Sequence, residues 1–253
     1  EWFHRTKAKG QYWPDALVPA KGAYASRMPE ADNRIPQQTV QAFWLDIWVP
    51  AAAAAGTYET TATLEAGGRT VSLPMKVEVL PATVPVTDVV TMDHNSYGSS
   101  WLAGEYPALA ASTGGKFFSS DAFFQLMQSY HRVFDEHRGI FHNLGYGHGG
   151  KVAPEYAPRL EGMGRTKHVA DWSTYDKHYG PLLDGSAFAG TRRGARPIPY
   201  VYLPINPEWP ATMLAWGEPG YEREFVNVVS EMEKHFREKG WTKTRFELFF
   251  NHK

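Results

Sequence analysis

Polar residues that could bind or activate a ligand follow each of four strands predicted in the second part of the sequence. Their carboxylate, imidazole and amide groups can exchange hydrogen bonds with a ligand, and a carboxylic acid can also transfer a proton. In a parallel barrel the loops after the strands share one face, so these residues are predicted to form one site. Strand ends also meet water, which is the alternative reason for their polarity. The predicted ligand-binding residues are Asp93, His94, Asn95, His142, Tyr146, His148, Asn206, Trp209, Asn251 and His252, with Glu208 as the candidate catalytic residue.

The segment PINPEWP, residues 204–210, is the most informative of these strand ends. Its three prolines restrict the backbone around Glu208 and Trp209. A rigid loop with a carboxylate beside an indole suits a sugar, because the carboxylate accepts hydroxyl hydrogen bonds while the ring stacks. Glu208 could also act as a general acid if its pKa were raised. The alternative is a stiff structural turn with Trp209 packed inward.

The segment GYGHGG contains a formal G-x-G-x-x-G pattern at Gly145, Gly147 and Gly150. A dinucleotide site needs a helix directly after the glycines, but Pro154 and Pro158 follow here, so this interpretation is rejected. The glycines are instead predicted to let a long loop, about residues 147–170, fold over the site. The candidate histidines have no metal-ligand spacing, and imidazoles that bond hydroxyls or pack are favoured over a metal site. No metal or other cofactor is predicted.

The composition excludes several classes of function. The net charge of −1 gives no electrostatic case for a nucleic acid partner. No apolar run is long enough to span a bilayer, so no membrane span is predicted. The absence of cysteine excludes disulfides and thiolate metal sites, and it is compatible with an exported bacterial protein. The nine tryptophans can stack on sugar rings or can fill the core.

Residues 1–84 are predicted to form a β-sandwich domain that is incomplete at its start. Alternating apolar residues predict strands over residues 40–49, 56–66 and 71–80, with a weaker strand over 12–18. Gly67 and Gly68 predict a hairpin turn between the strands at residues 56–66 and 71–80. Hairpins without helices indicate an antiparallel sandwich.

Residues 85–253 are predicted to form an α/β domain after a proline-marked linker. Four strands alternate with helices, of which the main ones are predicted over residues 119–139, 171–185 and 220–240. Ser119 or Ser120 is predicted to cap the first helix, and Gly139 to end it. The pattern favours the N-terminal half of a (β/α)₈ TIM-type barrel, with about the first four β/α units present. The alternative is a small open four-stranded sheet.

The apolar segment RFELFF, residues 245–250, is predicted to be the fourth strand of this α/β domain. No helix follows it, so we expect that the chain is cut and that a C-terminal half of the barrel or a partner chain covers this strand.

Two runs of the sequence resemble a known class of bacterial proteins. They are FWLDIWVPAAAAAGTYETTATLEAGG and DWSTYDKHYGPLLDGSAF with the later YVYLPINPEWP. Together they resemble proteins with a β-sandwich followed by a glycoside-hydrolase-like (β/α)₈ barrel, similar to the family 123 glycoside hydrolases. The resemblance implies an exported, carbohydrate-active protein. In characterised members an adjacent Asp-Glu pair removes N-acetylgalactosamine, with the acetamido group of the substrate as nucleophile.

The sequence leaves two functions open. The first is a glycoside hydrolase acting on a polysaccharide or glycan, in which the predicted site residues hold the sugar. The second is a non-catalytic glycan-binding or extracellular structural protein on the same fold. Asp135 and Glu136 are adjacent but are predicted to lie at a helix end, away from the strand ends, so the catalytic pair is not assigned.

Overall fold

The structure is a computed structural model that describes residues 2–8, 11–18, 42–90, 92–96, 101–143, 157–205 and 213–248. The chain divides into two compact units, a first unit Glu1–Pro85 and a second unit Val86–Lys253. The sandwich and half-barrel architectures expected for the two parts stay predictions.

Two antiparallel hairpins make up the strands described in the first unit. The strands are β1 (Trp2–Ala8), β2 (Gln11–Val18), β3 (Gly56–Ala66) and β4 (Arg69–Val79), with β1 paired to β2 and β3 paired to β4. Gly67 and Gly68 have φ angles of 57° and 74°, as the two-residue turn of a hairpin requires. The β3–β4 hairpin is therefore confirmed. β1 was not predicted.

The predicted strand at residues 40–49 is wrong over the part that the structure describes. Phe43 forms an isolated bridge, and residues 44–50 belong to no strand. An alternation of apolar and polar residues favours a strand. A strand forms only where a neighbouring backbone also supplies the hydrogen bonds.

In the part of the second unit that the structure describes, there are two strand–helix–strand elements with parallel strands. Its strands are β5 (Met92–Ser96), β6 (Gly139–Asn143), β7 (Arg159–Glu161), β8 (His168–Asp171), β9 (Tyr200–Tyr202) and β10 (Arg245–Glu247). Its helices are α1 (Leu102–Glu105), α2 (Pro107–Ser112), α3 (Asp121–Glu136), α4 (Ser173–Leu183) and α5 (Tyr221–Glu238). β5 pairs in parallel with β6, and β9 pairs in parallel with β10, while β6 and β9 are in contact.

Apolar side chains fix the two long helices to one side of these strands. Phe141 of β6 stacks on Phe134 of α3, with ring centroids 5.2 Å apart. Phe246 of β10 stacks on Phe236 of α5, with ring centroids 4.3 Å apart. The core around α4 and α5 also contains Tyr175, Leu183, Phe188, Val228 and Met232, all almost completely buried.

The ends of α3 show both a confirmed and a corrected prediction. Ser120 caps its start, since its hydroxyl accepts a hydrogen bond of 3.2 Å from the Phe123 amide. The helix ends at Glu136, and Gly139 is the first residue of β6 rather than the helix terminator. Arg138 instead takes the left-handed conformation, with φ 62°.

We expect Arg138→Gly to be about 1 kcal/mol more stable toward unfolding than Arg138→Ala. Both variants lose the half-exposed ion pair between Arg138 and Asp88, whose N–O distance is 2.9 Å. Only glycine relieves the left-handed backbone. Denaturant unfolding of the two variants tests this, and equal midpoints would show that this position carries no backbone strain.

Candidate functional site

The face of the parallel strands opposite α3 and α5 carries two carboxylates and two phenols. Residues alternate between the two faces of a strand. The face toward the helices therefore carries His94, Phe141, Val201 and Phe246. The residues next to them in each strand lie on the opposite face. We name this other side the inner face. It comprises Asp93 of β5, Ile140 of β6, Tyr200 and Tyr202 of β9, and Arg245 and Glu247 of β10.

A hydrogen bond across the inner face joins β9 to β5. The hydroxyl of Tyr202 donates to Oδ2 of Asp93 over 3.1 Å, between residues 109 positions apart. The hydroxyls of Tyr200 and Tyr202 are also hydrogen-bonded to each other. A chain of hydrogen bonds thus runs from Tyr200 through Tyr202 of β9 to Asp93 of β5. These bonds fix the position of Asp93.

The two phenols keep their protons at ordinary pH. Burial raises the pKa of Tyr200, and the hydrogen bond to Tyr202 and the charges of Tyr202, Asp93 and Glu247 raise it further. Burial also raises the pKa of Tyr202, assisted by Asp93 and Glu247 and opposed by the hydrogen bond from Tyr200. Tyr202 therefore remains a donor to Asp93, which as a residue is exposed.

The second carboxylate of the inner face is paired with an arginine. Nε of Arg245 lies 2.7 Å from Oε1 of Glu247. The guanidinium of Arg245 also lies over the ring of Tyr200, 5.3 Å from its centroid. A ligand on the inner face would meet two carboxylate acceptors beside aromatic rings, which is a combination suited to hydroxyl groups.

Of the predicted site residues, Asp93 lies on the inner face. His94 lies on the opposite side, where its ring packs against Phe134 with centroids 4.8 Å apart. A Cβ at position 139 would come within 2.9 Å of the His94 ring, so Gly139 permits this packing. For Asn95 and His142 the backbone alone is described, and the register pairs them with each other, two positions beyond Asp93 and Ile140. Tyr146, His148, Asn206, Glu208, Trp209, Asn251 and His252 lie outside the described residues.

The inner face includes residues that sequence analysis missed. Tyr200, Tyr202, Arg245 and Glu247 were not among the predicted site residues. The alternation in YVY and RFE was the available signal, because it places Tyr200 and Tyr202, or Arg245 and Glu247, on one side.

One buried carboxylate joins two loops beyond the carboxyl ends of the strands. Glu224, in the first turn of α5, is 2% exposed. Its Oε1 accepts from the Gly164 amide at 2.5 Å, and its Oε2 accepts from the Leu214 amide at 3.0 Å. Gly164 lies between β7 and β8, and Leu214 lies between β9 and α5. The predicted long loop at residues 147–170 thus contains a hairpin, formed by β7 and β8, in its described part.

A different cluster of charges lies before the strands, at their amino ends. We name it the arginine network, and it comprises Asp88, Asp135, Arg138, Arg193 and Arg196. Asp88 precedes β5, Asp135 precedes β6, and both Arg193 and Arg196 precede β9. The adjacent residues Asp135 and Glu136 are engaged here, since the Arg196 guanidinium donates to Asp135 and the Arg192 amide donates to Glu136.

Two negative findings hold for the described residues. No three His, Asp or Glu side chains within them are grouped so as to hold a metal ion. None of the helices in these ranges is long and apolar enough to cross a membrane.

Comparison with known proteins gives one match. Residues 7–66 match the family model described as the glycoside hydrolase 123 N-terminal domain. The chain is therefore similar to family 123 glycoside hydrolases, as the resemblance in its sequence implied. The matched residues lie in the first unit, whereas the inner face lies in the second. No curated protein and no solved structure matches the chain.

Proposed function

We propose that the chain is part of an exported, carbohydrate-active enzyme that hydrolyses a polysaccharide or glycan. The observation that carries this proposal is the match of residues 7–66 to the N-terminal domain of family 123 glycoside hydrolases. The composition of the inner face supports it, because hydroxyl-rich ligands bind through carboxylate acceptors and aromatic faces. The substrate class and the export are part of the proposal.

In this proposal Asp93 accepts hydrogen bonds from sugar hydroxyls. Tyr202 donates to Oδ2 of Asp93 over 3.1 Å, and Asp93 as a residue is exposed. Glu247 is a second acceptor, oriented by Arg245. Glu208, in the proline-rich segment that follows β9 in the sequence, is proposed as a general acid or as a residue that holds the ligand. We also propose that a C-terminal half of the barrel or a partner chain covers the last strand.

The test is a substrate screen with the natural protein and two variants. We expect Glu208→Gln to lower turnover by about 10²- to 10⁴-fold if Glu208 is the general acid. We expect Asp93→Asn to raise KM by about 10-fold or more, because a charged acceptor is replaced by a neutral one. Glu222→Gln, an exposed residue of α5, is the control. Unchanged turnover in Glu208→Gln would remove Glu208 from the mechanism.

A second function is favoured by a specific observation. The adjacent Asp135–Glu136 pair is held at the amino ends of the strands, away from the inner face. This supports a glycan-binding protein without hydrolysis as the alternative. Glycan binding with no product release, and no effect of Glu208→Gln on that binding, would decide for it.

A further inference from the structure

An exposed tryptophan stands on the loop that leads into α5. Trp216 is 66% exposed. The loop lies between the carboxyl end of β9 and the start of α5, which connects the parallel strands β9 and β10. It therefore lies at the end of the strands where ligands bind in α/β proteins.

The loop that carries Trp216 is held in place by several hydrogen bonds. The Leu214 amide donates to buried Glu224 over 3.0 Å, and the Ala215 amide donates to Oε2 of Glu218 over 2.5 Å. The carbonyl of Glu218 accepts from the Tyr221 amide at 3.0 Å. The ring of Trp216 contacts buried Tyr221, with centroids 5.6 Å apart. The indole is thus both exposed and preorganised, which lowers the entropy cost of binding a ligand.

A second exposed apolar side chain lies on the neighbouring loop. Met163 is 79% exposed and directly precedes Gly164. Because the Gly164 and Leu214 amides bind the two oxygens of one carboxylate, the loops that carry Met163 and Trp216 meet at Glu224. Isolated exposed apolar residues are common, but two on adjoining, fixed loops at the ligand-binding end form a candidate contact surface.

We infer that Trp216 is a stacking platform for a sugar ring of the glycan, at a subsite outside the inner face. This inference rests on the proposed function. The apolar face of a pyranose ring suits an indole, and its hydroxyls need acceptors at the edge. Glu218 supplies one, because its Oε1 has no hydrogen bond to any residue in the described ranges. A purely apolar partner would gain nothing from this carboxylate and would leave it desolvated.

The experiment measures the affinity of the full chain for soluble polysaccharides by affinity electrophoresis and calorimetry. The probes are a neutral xylan, a galactomannan, N-acetylated chitin oligosaccharides and an acidic pectin. For a probe that the natural protein binds, we expect Trp216→Ala to weaken affinity about 10- to 50-fold. Trp216→Phe should stay within about threefold, because it keeps an aromatic face. Val133→Ala, an exposed apolar residue on α3, is the control and should change nothing.

The outcomes separate this inference from the proposed function. If the natural protein binds and Trp216→Ala binds equally well, the platform is refuted while the glycan function stands. If the natural protein binds none of the probes, both are overturned. If Trp216→Ala instead abolishes self-association in sedimentation with unchanged glycan affinity, Trp216 is a contact between copies of the chain and not a sugar platform. Unchanged thermal midpoints in all variants would show that the fold is intact.

Discussion

Replacing Arg193 by alanine is expected to lower the free energy of unfolding of the second unit by about 3–5 kcal/mol. The side chain of Arg193 is 3% exposed. It donates to both carboxylate oxygens of Asp88, over 2.8 and 2.9 Å, and to the carbonyl of Asp135 over 2.7 Å. Without the guanidinium, the acceptors before β5 and β6 lose their most buried donor, and only Arg138 and Arg196 are left to compensate the charges of Asp88 and Asp135.

Thermal unfolding measures this effect, with an expected fall in midpoint of roughly 10 °C for a unit of this size. Arg193→Lys should lie between the natural protein and the alanine variant, because an ammonium keeps the charge but lacks the planar donor fork. Arg223→Ala, at an exposed position on α5, is the matched control and should change the midpoint little. If Arg193→Ala behaves like Arg223→Ala, the arginine network does not stabilise the second unit.

The same network gives a pH dependence with a defined sign. Burial alone would raise the pKa of Asp88, but hydrogen bonds and charges from Arg193, Arg196 and Arg138 outweigh it and hold the pKa below its ordinary value of 3.8. A carboxyl with a lowered folded pKa stabilises the fold fully above the unfolded pKa and loses this effect as the pH falls through the folded value. Arg193→Ala should therefore show a weaker loss of stability below about pH 4 than the natural protein.

Glu224→Ala is expected to destabilise the second unit by about 2–4 kcal/mol and to loosen the two loops that meet at this residue. The Glu224 carboxylate accepts from the Gly164 and Leu214 amides, which lie 50 positions apart in the sequence and on different loops. Alanine leaves both donors without this acceptor. It also removes an acidic group from the first turn of α5, where a negative charge is favourable to the helix.

Hydrogen exchange at individual amides distinguishes this effect from general destabilisation. We expect the Gly164 and Leu214 amides to lose protection in Glu224→Gln, which keeps the side-chain volume but has one acceptor oxygen fewer. Amides in the middle of α3 should keep theirs. Glu222→Gln removes an exposed charge from the same helical turn and is the control. Unchanged protection at both loop amides would show that Glu224 does not hold the loops together.

If Trp216 is a stacking platform, Glu224→Gln should also weaken glycan affinity, because a looser loop presents the indole less favourably. This effect should appear at temperatures where the variant is fully folded. A variant with lost amide protection and full affinity would show that Trp216 does not need the support of Glu224.

Local features of the second unit followed from the sequence because their causes are local. The apolar spacing in residues 220–240 predicts α5, and the structure has a helix at Tyr221–Glu238 with Val228, Met232 and Phe236 buried. The same holds for Ser120, whose hydroxyl caps α3 by accepting from an amide only three residues further along the chain. Propensity, periodicity and capping depend on neighbours within one or two turns.

Strand boundaries did not follow from the sequence, because strands are completed by distant partners. The apolar residues at 89–92 predict the first strand of the second unit there, but Val89 and Val90 are exposed and β5 spans Met92–Ser96. The parallel pairing of β5 with Gly139–Asn143 decides where the strand lies, and this pairing is not visible in the apolar run itself.

What the sequence determined by itself is the alternation of elements, the polar strand ends and the resemblance of its first part to a glycoside hydrolase domain, confirmed over residues 7–66. Only the tertiary structure decided which of these polar residues meet. Tyr202 reaches Asp93 across 109 positions, Arg193 reaches Asp88 across 105, and Glu224 joins Gly164 to Leu214. Such pairs form because folding brings separate strand ends and loops together. The sequence around either residue does not indicate which residue it will contact.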